Sequence, residues 1–223
     1  MKLYIVATPI GNLKDISFRA IETLKKVTLI LCEDTRVAQK LLSRYEISKP
    51  TVSYHQHSEL KKNEYILERL KEGNDLALIS DAGTPSISDP GAKLIEFLFE
   101  QMPDLEVIPI PGPSALIAAL SVSGFSADKF VFLGFPPVKK KRKKFFEEVA
   151  NSKHTVVFYE SCHRILKTLR ELESVLEPER QIVVCREITK KFETIYKGEV
   201  KEVIEKIEKD KTKGEFVVVV KGK

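Results

Sequence analysis

Three turns of this 223-residue chain concentrate the residue types that hold a small molecule. They are Ala7-Thr-Pro-Ile-Gly-Asn-Leu13, Ser80-Asp-Ala-Gly-Thr-Pro-Ser-Ile-Ser-Asp-Pro-Gly91 and Pro109-Ile-Pro-Gly-Pro-Ser-Ala115. Glycine lets a backbone approach a ligand closely, and proline holds such a loop in one shape. Asp81 and Asp89 supply acceptors, while Thr84, Ser88 and Ser114 can donate or accept. One such loop could equally be a turn with a helix cap; three following strands of one sheet point to a binding crevice. None reads G-x-G-x-x-G, and no G-x-x-x-x-G-K-[ST] occurs, which argues against dinucleotide and ATP phosphates.

A second chemical signal is electrostatic. The formal net charge of +5 is modest, but Lys139, Lys140, Lys141, Arg142, Lys143 and Lys144 form an unbroken run just after Gly134-Phe-Pro-Pro137. Clustered cations beside a stiff bend suit phosphate groups, with a solvated helix face as the plainer alternative. The three cysteines are too few and too scattered for a disulfide framework or a zinc site. Cys32 and Cys185 sit in apolar runs and read as packed thiols, while Cys162 beside His163 marks a strand-to-helix turn. No apolar run reaches the roughly 18 residues of a membrane span. No leader pattern precedes the first strand, so a cytoplasmic location is expected.

For the three turns to converge, the strands before them must lie side by side. Leu3–Ala7, Leu29–Cys32, Leu76–Ser80 and Val107–Ile110, with a weaker Thr51–Tyr54, are short and apolar, as strands covered on both faces are. Helical patterns at Ser17–Lys26, Thr35–Tyr45, Glu59–Lys71 and Gly91–Gln101 alternate with them, and Ser58 stands where a cap of the third would. This predicts an α/β domain over residues 1–112, an open, mostly parallel sheet flanked by helices with right-handed crossovers. Pro109, Pro111 and Pro113 form a stiff connector, and a second domain follows over 113–223. Its strands are Val131–Gly134, Thr155–Tyr159, Gln181–Arg186, Thr194–Lys197 and Phe216–Val220; its helices are Lys144–Ala150, Ile165–Val175 and Val200–Glu208. The link between residues 186 and 194 is too short for a helical crossover, so those strands pair antiparallel and the second sheet is mixed.

Taken in order and spacing, Thr8-Pro-Ile-Gly-Asn-Leu13, Glu33-Asp-Thr-Arg36, Ser80-Asp-Ala-Gly-Thr-Pro85, Ser88-Asp-Pro-Gly91 and Pro111-Gly-Pro-Ser-Ala115 resemble the tetrapyrrole-methylase superfamily. Phe158-Tyr-Glu-Ser161, His163-Arg164, Arg186-Glu-Ile-Thr-Lys190, Phe192-Glu193 and Gly214-Glu-Phe-Val217 carry the likeness through the second half. Within the superfamily the motifs are similar to the branch that 2′-O-methylates the ribose of a cytidine in the decoding region of 16S ribosomal RNA. Many members of that branch carry a further helical C-terminal extension, which has no counterpart here after Phe216–Val220.

The resemblance implies the tetrapyrrole-methylase fold, S-adenosylmethionine folded in a cleft between the two domains, no metal and a homodimer. It implies cofactor contacts from Pro9, Ile10, Asp81, Ala82, Gly83, Thr84, Ser88, Ser114 and Ala115. From the second domain it implies Tyr159, Glu187, Gly214 and Glu215. Methylating a neutral ribose hydroxyl calls for a general base or an alkoxide-stabilising cation, together with in-line placement. Lys190, oriented by Glu187, is the first choice, ahead of Glu193, His55, His57, Asp89 and Arg36. Small-subunit RNA as partner gives Lys139–Lys144 and Arg36 the role of phosphate contacts. Two alternatives stay open: a tetrapyrrole or diphthamide-precursor methylase, and a non-catalytic RNA-binding assembly factor.

Overall fold

The apolar runs of the first half become strands whose successive side chains enter two different cores. A computed structural model describes residues 1–54, 59–89, 91–210 and 212–223, and divides into the units Met1–Ser114 and Ala115–Lys223. In the first unit, β1 (Lys2–Val6), β2 (Leu29–Cys32), β3 (Thr51–Ser53), β4 (Leu76–Ile79) and β5 (Glu106–Ile110) pair in parallel, in the order β3-β2-β4-β1-β5. The crossovers carry α1 (Phe18–Lys26), α2 (Thr35–Arg44), α3 (Glu59–Lys71) and α4 (Gly91–Gln101). Val6, Ile30, Cys32, Ala77 and Ile79 pack with Leu24 of α1 and Leu42 of α2. Leu3, Leu29, Leu31, Leu76 and Leu78 pack on the other face with Ile66 and Leu70 of α3 and Leu94 and Leu98 of α4. This alternation explains why β2 and β4 read as unbroken apolar runs.

Caps set the helix starts. Ser17 Oγ accepts from the Ala20 amide at 3.1 Å, and Asp34 Oδ1 from the Arg36 amide at 2.8 Å. Ser58, expected to cap α3, lies outside the described residues. β1 and β4 are neighbours, yet α1 and α4 follow them onto opposite faces. The loops leaving these two strands therefore part at the carboxyl edge, which is how an open parallel sheet makes a crevice.

The second unit carries β6 (Phe130–Phe132), β7 (Thr155–Ser161), β8 (Gln181–Arg186), β9 (Thr194–Glu199) and β10 (Glu215–Val220), in the order β6-β7-β10-β8-β9. β6 and β7 are parallel and the other pairs antiparallel, so the sheet is mixed as the short 186–194 link requires. The helices α6 (Arg142–Asn151), α7 (Ile165–Glu173) and α8 (Val200–Glu208) cover one face. Leu116 and Leu120 of α5 (Ala115–Ser123) cover the other, against Val157, Val183, Val217 and Val219. No described helix is long and apolar enough to cross a membrane.

One member of the basic run departs from its expected role. The helix begins at Arg142 rather than Lys144, and the Arg142 side chain is only 8% exposed. Its guanidinium meets Glu171 at 2.6 Å, donates to the Pro137 carbonyl at 2.9 Å and to Thr168 Oγ1 at 2.7 Å. Thr168 Oγ1 donates in turn to Glu160 Oε2 at 2.7 Å, and fully buried Glu160 pairs with Arg164 at 2.8 Å. A cation taken out of water must be paired this way, so Arg142 is an anchor and not a phosphate contact. Lys139, Lys140, Lys141, Lys143 and Lys144 are exposed. Replacing Arg142 by Leu strips Thr168 and Glu171 of their donor and should cost about 1–3 kcal/mol in guanidinium unfolding. Lys143→Ser, at a side chain 92% exposed, should shift that value by less than about 0.5 kcal/mol.

Candidate functional site

The carboxyl edge of the first sheet is knitted from all three sequence loops. Thr8 and Gly83 exchange backbone hydrogen bonds, Thr8 N to Gly83 O at 2.8 Å and Gly83 N to Thr8 O at 3.1 Å. Thr8 Oγ1 donates to the Ser80 carbonyl at 3.0 Å, and Ser80 Oγ to the Gly83 carbonyl at 3.2 Å. Thr84 Oγ1 reaches the Pro113 carbonyl at 3.3 Å, tying in the third loop. Gly83 takes a φ of +85°, and a Cβ there would stand 3.4 Å from Ile10 Cγ2. Pro9 and Ile10 are buried beneath this seam; Asp81, Ala82 and Ser88 are exposed, and Thr84, Ser114 and Ala115 half-buried. Ser86 and Ser88 hold φ of 72° and 62°, a strain of about 1–3 kcal/mol each.

Two of the loop's polar groups are committed to backbone groups at this edge. Thr84 is one; Asp89 is the other, with Oδ1 accepting from the Ser86 amide at 2.6 Å and the Gly91 amide at 2.9 Å. Asp89 therefore takes the capping role, and burial pushes its carboxyl above the usual range. Asp81 faces outward instead. Its Oδ1 accepts from the Asp34 amide at 3.1 Å, and its own amide donates to Glu33 Oε1 at 3.4 Å. Burial raises the Asp81 carboxyl, with the Asp34 charge adding to it. Glu33 is raised by burial and then by the charges of Asp89 and Asp81. Asp34, in contrast to these neighbours, is pulled down to about 2 by its hydrogen bonds from Arg36. Carboxylates that raise one another at a sheet edge favour a cationic ligand. Glu33 and Asp34 were not among the expected contacts; their signal was the Glu33-Asp-Thr-Arg36 run ending β2 next to β4. Arg36 folds its guanidinium onto Asp34 at 2.6 Å, with the side chain 88% exposed.

In the second unit, Glu187, Lys190, Gly214 and Glu215 come together where β8 ends and β10 begins. Lys190 Nζ meets Glu187 Oε1 at 2.9 Å and Glu215 Oε2 at 2.7 Å. Glu187 Oε1 also accepts from the Glu215 amide at 3.0 Å. Glu187 and Thr189 sit at φ of 51° and 66°, left-handed positions rare for such side chains. Gly214, at φ +128°, is where a Cβ would stand 2.5 Å from Glu187 Cγ, so only glycine lets Glu187 lie across the turn. Burial by itself would lower the Lys190 amine, but the hydrogen bonds and charges of Glu215 and Glu187 outweigh it and raise it. Lys190 is thus a held ammonium; the neutral amine a general base needs is the disfavoured form. Burial works to raise Glu187, and the Lys190 and Glu215 contacts overcome it and lower it.

Tyr159 lies at 5.0 Å from Phe132 and 5.4 Å from Phe135 between ring centroids. Burial raises its phenol, and the Leu116 amide donates to it, which sets Tyr159 beside the first turn of α5 and Ala115. Burial pushes the Cys32 thiol up to about 11 and Cys185 to about 12, as for packed apolar thiols. Cys162 packs against the helix-covered face. Glu193 Oε2 accepts from the Thr189 amide at 2.6 Å and so braces the same turn. His55 and His57 lie outside the described residues. Among those described, no three His, Cys, Asp or Glu gather as a metal cluster.

The Lys190 proton gives a direct check. Because its folded pKa is raised above the ordinary 10.5, its ion pairs contribute stability fully present below that pH and lost as pH climbs through the raised value. An NMR titration of Lys190 should therefore have its midpoint above 10.5, and Glu215→Gln should move it down. A midpoint unmoved by Glu215→Gln would show that the pair is absent in solution.

Residues 2–204 match the family model described as Tetrapyrrole (Corrin/Porphyrin) Methylases. The chain is 50% identical to the Ribosomal RNA small subunit methyltransferase I of Haemophilus influenzae, covering 99% of this chain and 78% of that one. It is 45% identical to the protein of the same name from Thermotoga maritima, over 100% of this chain and 99% of that one. Among solved structures, the cobalamin biosynthetic enzyme cobalt precorrin-4 methyltransferase superposes with a TM-score of 0.72 at 16% identity, over 99% of this chain and 94% of the other. The methyltransferase CobJ does so with a TM-score of 0.72 at 20% identity, over the same shares; at such identities the likeness speaks for the fold. With both a family model spanning most of its length and near full-length relatives, this chain belongs to the tetrapyrrole methylase family.

Proposed function

We propose that this protein transfers a methyl group from S-adenosylmethionine to the 2′-hydroxyl of a cytidine ribose in the decoding region of 16S ribosomal RNA. The observation that carries the reading is 41–50% identity, over 99–100% of the chain, to eight relatives that all bear the name of a small-subunit ribosomal RNA methyltransferase. The exposed lysines support it. Lys141, Lys143 and Lys144 crowd the N-terminal turn of α6, which carries no acidic residue. Cations there oppose the helix dipole, so the arrangement serves something other than helix stability. Phosphates would neutralise these lysines, and a helix N-terminus favours such anions. The reading includes a cytoplasmic protein that acts as a homodimer.

The residues fit the cofactor. S-adenosylmethionine supplies an electrophilic methyl on a sulfonium, and it carries a second positive charge on its ammonium. The carboxylates of Glu33 and Asp81 at the first sheet edge suit such a cation, with Asp81 the outward-facing acceptor. Gly83 and Ala82 offer backbone at close approach, Pro9 and Ile10 an apolar floor, and Ser88, Ser114 and Ala115 the remaining edge. Tyr159, Glu187, Gly214 and Glu215 are assigned to the same ligand. In the transfer, the ribose oxygen forms a bond to the methyl carbon as the carbon–sulfur bond breaks, and the hydroxyl proton leaves to solvent. Lys190, held as an ammonium by Glu187 and Glu215, acts as the cation beside the developing alkoxide. Arg36, turned onto Asp34 in the free protein, is the remaining phosphate contact in this reading.

The decisive test is transfer of tritiated methyl from S-adenosylmethionine to small ribosomal subunits that lack the modification, with a precorrin as the competing acceptor. Label in the 16S RNA at a cytidine 2′-oxygen is expected. Label in the precorrin, or cofactor binding without any transfer, overturns the reading in favour of a tetrapyrrole methylase or an assembly factor.

Two variants sharpen it. Asp81→Asn should weaken S-adenosylmethionine binding by calorimetry roughly tenfold, as expected for one charge-assisted hydrogen bond. Changing Lys139, Lys140, Lys141, Lys143 and Lys144 to Ser should flatten the salt dependence of RNA affinity by about 0.7 in log–log slope for each phosphate no longer neutralised. Cofactor affinity should stay as it was. An unaltered slope would leave the run a surface feature only.

A further inference from the structure

Phe135 is an aromatic ring left 52% exposed, and Val138, three residues on, is 66% exposed. The segment that carries them is fastened at each step. The Gly134 carbonyl accepts from the Tyr159 amide at 2.8 Å. The Pro136 carbonyl accepts from Arg164 Nη1 at 3.0 Å and the Pro137 carbonyl from Arg142 Nη1 at 2.9 Å. Both arginines are themselves fastened by the Glu160–Thr168 network. Gly134 turns the chain at φ +64°, and the Phe135 ring leans on Tyr159 with planes tilted by 60°. An apolar ring held out in water by this much buried polar structure is prepared for an occupant.

The surroundings say which one. Lys139, Lys140 and Lys141 follow within six residues and are all exposed. A flat aromatic face with flanking cations is the arrangement that takes an unstacked base and its phosphates. A second copy of this chain fits poorly, because a two-fold contact through Phe135 would bring two lysine runs against each other. We propose that Phe135 is the stacking platform for an unpaired base of the RNA substrate, with the adjoining lysines on that strand's phosphates. The inference rests on the RNA reading above and deepens it. Because Phe135 touches Tyr159, assigned above to the cofactor, the stacked base belongs to the methylated nucleotide or its immediate neighbour.

The test is steady-state methylation of small ribosomal subunits lacking the modification. Phe135→Ala should raise KM for subunits by roughly fivefold to a hundredfold, the range for losing one stacked base. Phe135→Trp should restore it, because any aromatic face serves. Phe135→Leu, apolar and well tolerated in folding, should behave like Ala. The salt slope of KM should be unchanged in all three, in contrast to the lysine variant, because the lysines still neutralise the same phosphates. A KM for Phe135→Ala within twofold of the parent overturns the proposal, as does full function of Phe135→Leu. Loss of the dimer in sedimentation of Phe135→Ala also overturns it, assigning the ring to a second copy. If the parent protein transfers no methyl to subunits, the RNA reading itself falls; transfer by the parent with an indifferent Phe135→Ala defeats only the stacking platform.

Discussion

A parallel strand covered on both faces can meet solvent only at its ends, and this constraint gathers the first unit's exposed loop groups at the carboxyl edge of its sheet. β4 is buried at every position and sits between β2 and β1. The crossovers after β1 and β4 take opposite faces, so the backbone at their carboxyl ends must diverge. The Thr8–Gly83 bridge is the last pairing before the divergence. Asp81 is exposed beside it, within reach of the Glu33 and Asp34 loop that ends β2. Gly83 is used there because its φ of +85° is costly for a side chain and because Ile10 lies against it.

The second unit uses a different device. Its sheet is antiparallel where β8 meets β10, and a tight turn carries Glu187 at a left-handed φ across the flank of Gly214. Strain at Glu187 and Thr189 is offset by ion pairs and by backbone hydrogen bonds, Glu187 N to Glu215 O at 2.9 Å and Lys190 N to Glu187 O at 2.9 Å. The result is an ammonium with two carboxylate partners. That electrostatic state, more than the presence of a lysine, sets the protonation preference of Lys190, and it favours the ammonium.

A single buried residue reorganises the meaning of the basic run. Arg142 ties α6, the Pro137 carbonyl and α7 together. It thereby fixes the direction in which the neighbouring lysines and Phe135 project. Structure and electrostatics are divided among adjacent residues of one type, and the division follows helical geometry. Arg142 faces the core with Phe145, Phe146 and Val149, while Lys143 and Lys144 face water.

Much of this was legible in the residues. Unbroken apolar runs specified β2 and β4, since strands buried on both faces need apolar residues at every position. The 186–194 link excluded a helix by length alone, so the mixed second sheet followed. The three small-residue loops marked the edge because closely approaching backbone tolerates few side chains. What tertiary structure decided was the partner of each polar group. Asp81 and Asp89 are chemically equivalent in a string of letters, but Asp89 is consumed by two amides and Asp81 is not. Arg142 and Lys143 differ by burial, not by charge. Lys190 has its proton held by Glu215, a residue 25 positions away that only the pairing of β8 with β10 brings near. Sequence periodicity reports which face a residue takes; a proton's affinity depends on which charges lie within a few ångströms, and that is set only when distant strands pair.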